Sequence, residues 1–522
     1  MNWLVDVLDF IGQQILNVPA YLVGIIVAVG LIALRKGAGQ VIGGALKATL
    51  GFLILGAGAD VVVASLEPLG KLVLGVTGAE GVVPTNEVVT AMAAKDFGAN
   101  SAYILALGFL LMLLIARFTP LNYVFLTGHH MVFMAMLLSV LLSLSFGANG
   151  GWIAVLIGAV LLAIMMTAMP AFAHPWTKRV TGNDTVAIGH FSTLGYIAAG
   201  AAGQAVGRNS RSTEDIKFPQ GLSFLRDSMV ATALSMVLIY VVFAVWGLIA
   251  LGPDSYAMLE TTDGGAFVMA AIKHGLLFGV GVSVILYGVR TFLGELIPAF
   301  QGIAKKVVPG AKAALDIPIV FPYGQNAVLI GFISSFIGGL VMLVLLATWL
   351  GPAFGLALIL PGMVPHFFCG GGAGVYGNAT GGRRGAVVGG FVNGLIITIL
   401  PALLYAVMNG VASMFNQQAL AGSTFGDADL GWFGSLIGAG VLTGSAVATA
   451  IISLVIGAVI LALAILWQVK VVNKGWMPGE AHAQFVAEVK AEEAASAKAE
   501  REAAKAERAR AKDAGADGTT DA

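Results

Sequence analysis

Polar and titratable side chains lie inside or beside several long apolar runs of the chain. His129 lies within the apolar segment 118–144, His190 lies in a polar stretch rich in glycine, and Asp316 precedes another apolar run. An ionisable group at membrane depth is costly, so it usually faces a cavity or a polar path. The candidates in chain order are Thr85, Asn86, Glu87, His129, His190 and Asp316. Imidazoles, carboxylates and an amide suit a polyhydroxylated or weakly acidic small solute, although a dinuclear metal or a proton relay uses similar residues.

The same residue types also have structural interpretations. His129 and His130 are adjacent, and consecutive residues of a helix point to different faces, so we do not expect both in one site. A histidine near a helix end is also satisfied by backbone carbonyl groups. Asp60, Arg290 and Glu295 are candidates for ion pairing inside the membrane rather than for solute binding.

Composition places the chain among membrane proteins. Of its 522 residues 58% are hydrophobic and 11% are charged, with a mean hydropathy of +0.90, whereas soluble domains carry roughly 25% charged residues.

The net charge of zero indicates no nucleic-acid partner, and the single cysteine, Cys369, excludes a disulfide framework and a CxxC metal site. No GxxxxGK[ST] motif is present, so ATP-driven transport is not expected. We predict no cofactor and no metal, and the N-terminal MNWLVDVLDF lacks the basic region of a cleaved signal peptide.

Hydropathy predicts an all-α polytopic membrane protein with about eleven transmembrane segments. The predicted segments lie near 16–34, 41–66, 101–116, 121–147, 151–173, 224–252, 266–292, 318–349, 352–369, 385–409 and 433–468. Two polar segments interrupt this pattern, near 82–101 and 174–207. They contain too few apolar residues to cross the membrane and are interpreted as re-entrant hairpins or broken helices. Such backbone is tolerated only where protein or a water-filled cavity covers it. The glycine-rich segment 370–382 indicates close helix packing.

Weak internal similarity predicts two repeats, at about 14–210 and 265–425. Phe118–Leu144 aligns without gaps with Phe321–Ala347, pairing leucine, glycine and phenylalanine positions. A duplicated transporter core binds its solute between the repeats near the membrane midplane.

Charge distribution predicts the orientation and a separate tail. Basic residues flank several segments, including the last one at Lys470 and Lys474, which places the C-terminus in the cytoplasm. An odd number of segments then places the N-terminus outside. We expect residues 1–476 to form the transporter domain and residues 477–522 to form a charged cytosolic tail, partly helical and then disordered.

Several segments resemble the ascorbate-specific membrane subunit (enzyme IIC) family of the bacterial phosphoenolpyruvate-dependent sugar phosphotransferase system. They are GFLILGAGAD, VFLTGHHMV, VAIGHF, GVRTFLGELIPAFQGIAKKVVPGAKAALDIPIVF, NAVLIGF and PHFF, in the family's order from about residue 18 to 470. The resemblance implies a homodimer in the bacterial plasma membrane, with eleven helices per subunit in two inverted repeats. It also implies a V-shaped scaffold, a moving core with re-entrant hairpins, and a separate phosphorylated enzyme IIB as partner. The chain itself would transfer no phosphoryl group.

The resemblance also assigns residues. The histidines of the family's LTGH and IGH motifs fall on His129 and His190, and its substrate-facing aspartate falls on Asp316. Four positions depart from the family: Phe133, Phe191, Ala59 and Glu87 replace two glutamines, a serine and an aromatic residue. Ascorbate or a related sugar acid is the expected solute, and the alternative is a proton- or sodium-coupled transporter of a small polar solute, with Glu87 or Asp316 titrating.

Overall fold

The long apolar runs of the sequence form helices, because a backbone that spans a membrane must satisfy its hydrogen bonds within its own helix. The computed structural model describes residues 18–147, 151–184, 186–216, 228–415 and 422–516. The helices are α1 (Pro19–Ala33), α2 (Ala38–Thr77), α3 (Asn86–Phe118), α4 (Gly128–Phe146), α5 (Gly151–Thr181), α6 (Thr193–Val206), α7 (Ser228–Leu251), α8 (Gly264–Val307), α9 (Gln325–Leu345), α10 (Gly351–Phe354), α11 (Met363–Pro365), α12 (Gly371–Met414), α13 (Ala428–Val441), α14 (Ala446–Trp467) and α15 (Glu480–Ala516). The chain is thus the mainly helical, multi-pass membrane protein that its sequence predicts.

Six short strands lie between the helices and form two three-stranded parallel sheets. The strands are β1 (Gly81–Pro84), β2 (Tyr123–Phe125), β3 (Val186–Ile188), β4 (Lys312–Leu315), β5 (Leu358–Ile359) and β6 (Ser423–Thr424). In one sheet β1 lies between β5 and β6, and in the other β4 lies between β2 and β3. The paired strands supply hydrogen-bond partners for backbone segments that are not helical and lie inside the protein.

The helices form two groups, which we call the scaffold bundle and the core bundle. The scaffold bundle consists of α1, α2, α7 and α8, and the core bundle consists of α3–α6, α9 and α12–α14. Within the scaffold bundle α2 and α8 approach closely: a Cβ on Gly51 would lie 2.6 Å from the Phe292 nitrogen, and one on Gly288 would lie 2.5 Å from the Leu55 nitrogen. Glycine is required there because any side chain would separate the two backbones.

The predicted spans are partly corrected. Within the described ranges nine helical stretches are long and apolar enough to cross a membrane, and the shorter α1 is also apolar, against about eleven predicted. The predicted span 352–369 is wrong, because this region contains α10, β5 and α11. The predicted span 433–468 is two helices, α13 and α14, separated by a short turn.

The two polar interruptions differ from each other. The sequence predicts a hairpin or broken helix over residues 82–101, but after β1 the chain enters α3, which is one continuous helix of 33 residues. The second interruption behaves as predicted: after α5 the chain forms β3 and the 14-residue α6, which is too short to cross a bilayer. In the glycine-rich region, α12 is interrupted at Gly381 and at Gly382, whose φ of +57° favours glycine.

The gapless alignment of Phe118–Leu144 with Phe321–Ala347 matches the elements only in part, since it pairs most of α4 with α9. It pairs the strand β2, however, with the first turn of α9. The two halves also meet in the sheets, since each sheet takes its central strand from one half of the chain and its two outer strands from the other.

The start of the tail packs on the core bundle. Arg179 Nε donates to the Pro478 carbonyl at 2.6 Å, and the Gly479 nitrogen donates to Gln204 Oε1 at 3.2 Å. His482 is buried, and α15 then continues as the charged helix. Residues 517–522, for which the sequence predicts disorder, lie outside the described residues.

Candidate functional site

The sheet β2–β4–β3 brings three predicted site residues together. Its strands are parallel, so the residues that follow them lie at one edge: His129 in the first turn of α4, His190 after β3, and Asp316 after β4. His129 Nε2 lies 3.4 Å from Asp316 Oδ2, and His190 Nε2 lies 3.9 Å from Asp316 Oδ1. The sequence places these residues in three separate segments, and the strand pairing supplies their contact.

Asp316 is held in place by its own backbone surroundings. Its Oδ1 accepts a hydrogen bond from the Ile317 nitrogen at 2.7 Å and caps the short 3₁₀ helix Ile317–Tyr323. About a third of the Asp316 side chain remains exposed, as does about a third of that of His129. His190 is buried and its Nδ1 lies 3.0 Å from the Tyr196 hydroxyl. A solute can therefore reach Asp316 and His129 directly.

The first turn of α3 reaches the same place. The Asn86 amide donates from Nδ2 to Asp427 Oδ2 at 2.8 Å, and its Oδ1 accepts from the Gly426 nitrogen at 2.8 Å. Glu87 lies beside it and lines the cavity. Thr85 does not line the cavity; it is buried, and its backbone nitrogen donates to the Thr424 carbonyl.

A cavity of about 670 Å³ separates these residues from α8 of the scaffold bundle. Its core side is polar, and its scaffold side is mainly apolar. Its lining residues include Asn86, Glu87, His129, His130, Phe133, His190, Leu286, Val289, Arg290, Leu293, Ile297, Asp316, Cys369 and Asp427. This size and mixture of walls suit a small organic ligand.

The positions that depart from the resembled family have different surroundings. Phe133 lines the cavity, with its ring centroid 5.7 Å from that of His129. Phe191 does not line it; it is fully buried and stacks on Phe125 at 4.9 Å. Ala59 belongs to α2, and its side chain lies outside what the structure describes.

A family model described as the sugar-specific permease component of the phosphotransferase system, EIIC-GAT, matches residues 14–429. The chain belongs to this family. The permease is also similar to a Mycoplasma pneumoniae protein named "Ascorbate-specific PTS system EIIC component". The two are 29% identical, over 79% of this chain and 70% of the relative.

A second layer of polar groups lies behind the predicted residues of the permease. His130 Nδ1 lies 3.4 Å from Asp427 Oδ2, and Cys369 Sγ donates to Asp427 Oδ1 at 3.1 Å. The His130 and His190 rings lie 3.8 Å apart between centroids. His130 and His129 thus line one cavity, and the expectation that they do not share a site is wrong because both lie in the first turn of α4, which begins at the cavity.

Asp427, Cys369 and Asp429 are absent from the site residues that the sequence predicts. Asp429 orients the start of α6: its carboxylate accepts from the Thr193 nitrogen at 2.7 Å and from the Leu194 nitrogen at 3.1 Å. Both aspartates stand at the start of an apolar run in GDADLGW. That is the same signal that marks Asp316, and it could have identified them.

Two groups of donors have the spacing of a metal site. They are His129, His130 and Asp316, and the buried His130, His190 and Asp427, with ligand atoms within 4.8 Å of one another. Asp427 already accepts hydrogen bonds from Asn86 and Cys369, and His190 already contacts Tyr196. These bonds satisfy the buried groups without an ion.

Two of the three residues expected to pair inside the membrane do so. Lys47 Nζ lies 3.0 Å from Glu295 Oε1, and Lys95 Nζ lies 3.0 Å from Asp60 Oδ1. Arg290 is different, because it lines the cavity.

Proposed function

We propose that this permease translocates L-ascorbate or a related sugar acid, which a separate enzyme IIB then phosphorylates. The observation that carries the proposal is the convergence of His129 and His190 on Asp316 in a cavity between two helical bundles. The ascorbate-specific name of the Mycoplasma pneumoniae relative supports this class of solute.

Binding uses the polar wall of the cavity. The imidazoles of His129 and His190 hydrogen-bond the solute, and Asp316 accepts a hydrogen bond from one of its hydroxyl groups. Asn86 and Glu87 bound the same wall. Because these residues belong to the core bundle, the solute moves with that bundle when it shifts against the scaffold bundle.

The strand arrangement supports two inverted repeats. The central strand β1 and the outer strands β5 and β6 in one sheet correspond to β4, β2 and β3 in the other. Such a duplication places the solute between the repeats. We propose in addition that the permease is a homodimer of the bacterial plasma membrane with the N-terminus outside and the tail in the cytoplasm.

Phosphoryl transfer belongs to the partner in this proposal. Cys369 is the single cysteine of the chain, and it is buried with its Sγ hydrogen-bonded to Asp427. A cysteine that exchanges phosphoryl groups with a soluble protein must be accessible to that protein. In this proposal a separate IIB supplies that cysteine.

Uptake of labelled L-ascorbate in cells that lack their own system tests the function. We expect accumulation as the phosphate only when cognate IIA and IIB are co-expressed. Uptake of free ascorbate without them, abolished by an uncoupler, would contradict group translocation and favour the gradient-coupled transporter. Absence of uptake under both conditions would reject ascorbate as the solute.

Substitution of the converging residues tests the site. His190→Ala and Asp316→Ala are each expected to weaken solute binding about 10- to 100-fold, because each removes a hydrogen bond to a desolvated polar solute. Equilibrium binding to the purified permease measures this. Thr85→Ala is the matched control, since Thr85 does not line the cavity; wild-type affinity in both site variants would reject the site.

A further inference from the structure

Arg290 is a membrane arginine that faces the cavity from the scaffold side. It lies on α8 among the apolar residues Leu286, Val289, Leu293 and Ile297, all of which line the cavity. Charged groups inside a membrane protein are usually paired or mark a solute path. Arg290 therefore needs either a partner in the protein or a ligand.

The two carboxylates expected to pair inside the membrane have other partners. Glu295, on the same helix, pairs with Lys47 at 3.0 Å, and Asp60 pairs with Lys95 at 3.0 Å. Within the part of the chain that the structure describes, none of the ion pairs involves Arg290. Its guanidinium is left to interact with the contents of the cavity.

The opposite wall determines what that ligand can be. It carries the carboxylic side chains of Glu87, Asp316 and Asp427, which repel an anionic group, whereas Arg290 contributes the one permanently cationic side chain among the described lining residues. A guanidinium fork binds two oxygens of a delocalised oxyanion at once. The acidic end of a solute is thus favoured on the α8 side and its hydroxyl groups on the core side.

We propose that Arg290 binds the acidic group of the solute from the scaffold bundle, so that the cavity selects monoanionic sugar acids over neutral polyols. This rests on the proposed function and refines its solute class. The solute then bridges the two bundles, with its hydroxyls on His129 and Asp316 and its charge on Arg290. Arg290 is in this sense a specificity-determining residue for the transport step.

The test uses the purified full-length permease and matched pairs of solutes. The pairs are L-ascorbate with its neutral O-methyl ether, and D-glucuronate with D-glucose. Arg290→Gln is expected to weaken binding of the acid that the wild type binds by about 10- to 100-fold, the loss typical of one charge-assisted hydrogen-bonded pair. Binding of the neutral member should change by less than about twofold, and Arg290→Lys should recover part of the loss.

Lys47→Gln is the control, because Lys47 is another membrane cation near the same helix but pairs with Glu295. It should leave the preference for the acid unchanged. An equal loss for the acid and its neutral partner in Arg290→Gln, at an unchanged melting temperature, would overturn the inference, as would a wild type that binds neither acid more tightly than its neutral partner. Binding of glucuronate but not of ascorbate would reject ascorbate as the solute and would still support Arg290, provided that Arg290→Gln removes the preference for glucuronate over glucose.

Discussion

Phe133 and Phe191 occupy positions where the resembled family uses glutamine, yet the structure gives them different roles. Phe133 lines the cavity and its ring meets those of both His129 and His130 edge-on. Phe191 is fully buried against Phe125, and its backbone nitrogen approaches His130 Nδ1 at 3.5 Å. The first replacement therefore affects the solute, and the second affects packing.

Replacing each phenylalanine by glutamine separates these roles. Phe133→Gln adds an amide that can face the solute, so we expect binding of a sugar acid to tighten about fivefold, the effect of one net hydrogen bond of about 1 kcal/mol. Phe191→Gln buries an amide in an apolar contact and removes a ring, so it should destabilise the permease by about 2–4 kcal/mol.

Solute binding and thermal unfolding, measured on both variants, check the assignment. Each variant serves as the control for the other. The assignment would be contradicted if Phe191→Gln bound the solute more tightly without a loss of stability and Phe133→Gln left binding unchanged. Phe191, and not Phe133, would then lie at the solute.

Single residues are predictable where the local sequence carries the signal. His129, His190 and Asp316 can be selected because each stands out from an apolar or glycine-rich surrounding. The Asp427 contacts with Asn86 and Cys369 cannot be predicted from the sequence, because they join residues up to 341 positions apart and depend on how α3, α12 and α13 pack. The interpretation of Arg290 as a pairing residue failed, since the sequence does not indicate which face of α8 meets the cavity.

At the level of elements, the position of Asp316 depends on how β4 is anchored. Lys312, the first residue of β4, lies with its Nζ 2.8 Å from His174 Nε2 on α5. The loop residue Asp184 joins them, with its Oδ1 3.0 Å from His174 Nε2 and 3.4 Å from the Nζ atoms of both Lys312 and Lys178. This cluster ties the sheet that carries the site to the core bundle.

The cluster predicts a dependence of stability on pH. Burial by itself would raise the pKa of Asp184, but the hydrogen bond with His174 and the charges of Lys312 and Lys178 lower it from 3.8 to about 2. A carboxyl whose pKa is lower in the folded state stabilises the fold above its unfolded pKa of about 4 and loses that effect as the pH falls towards 2. Because 56% of the side chain is exposed, the stabilisation is less than about 1 kcal/mol.

Asp184→Asn is therefore expected to lower the melting temperature by about 2 °C or less at about pH 7. The difference from the wild type should shrink below about pH 4 and vanish near pH 2. Thermal unfolding in detergent at several pH values measures it. Asp215→Asn is a suitable control, since Asp215 pairs more loosely with Arg383, at 3.8 Å; a difference that grows as the pH falls would contradict the cluster.

Elements are predictable to the extent that hydropathy alone determines them. The long helices α2, α4, α5 and α8 fall where apolar runs predict them. The strands escape prediction, because two to four residues of strand carry no periodic signal and their pairing joins distant parts of the chain. The span predicted at 352–369 failed for a related reason: an apolar run buried inside protein resembles one that faces lipid.

At the scale of the whole molecule, the transport cycle that we propose requires the core bundle to move against the scaffold bundle. The two meet along α3, where Lys95 pairs with Asp60 of α2, and at the cavity, where the first turn of α4 touches α8. A Cβ on Gly128 would lie 2.8 Å from Leu293 Cδ2 and 3.0 Å from Ile297 Cδ1. The groups that Gly128 meets on α8 are apolar, so this contact opens without breaking a hydrogen bond, whereas the Lys95–Asp60 pair between α3 and α2 has to break when the two bundles separate there.

A disulfide across this contact should stop transport. We expect Gly128→Cys with Leu293→Cys to cross-link on oxidation and to abolish uptake, because the bond fixes the core bundle to α8 in one arrangement. Uptake should return on reduction, and uptake before and after treatment with a reductant measures both effects. The pair is introduced with Cys369→Ser, which removes the single native cysteine while a hydroxyl retains the hydrogen bond to Asp427.

The control places a cross-link entirely within the core bundle. Ser145 on α4 and Thr449 on α14 have their hydroxyl oxygens 2.9 Å apart, and cysteine is close to both in size. Ser145→Cys with Thr449→Cys should cross-link equally well and leave uptake intact, because α4 and α14 move as one body. Loss of uptake in the control, or continued uptake by the fully cross-linked Gly128→Cys, Leu293→Cys variant, would mean that the boundary between the moving parts does not lie between α4 and α8.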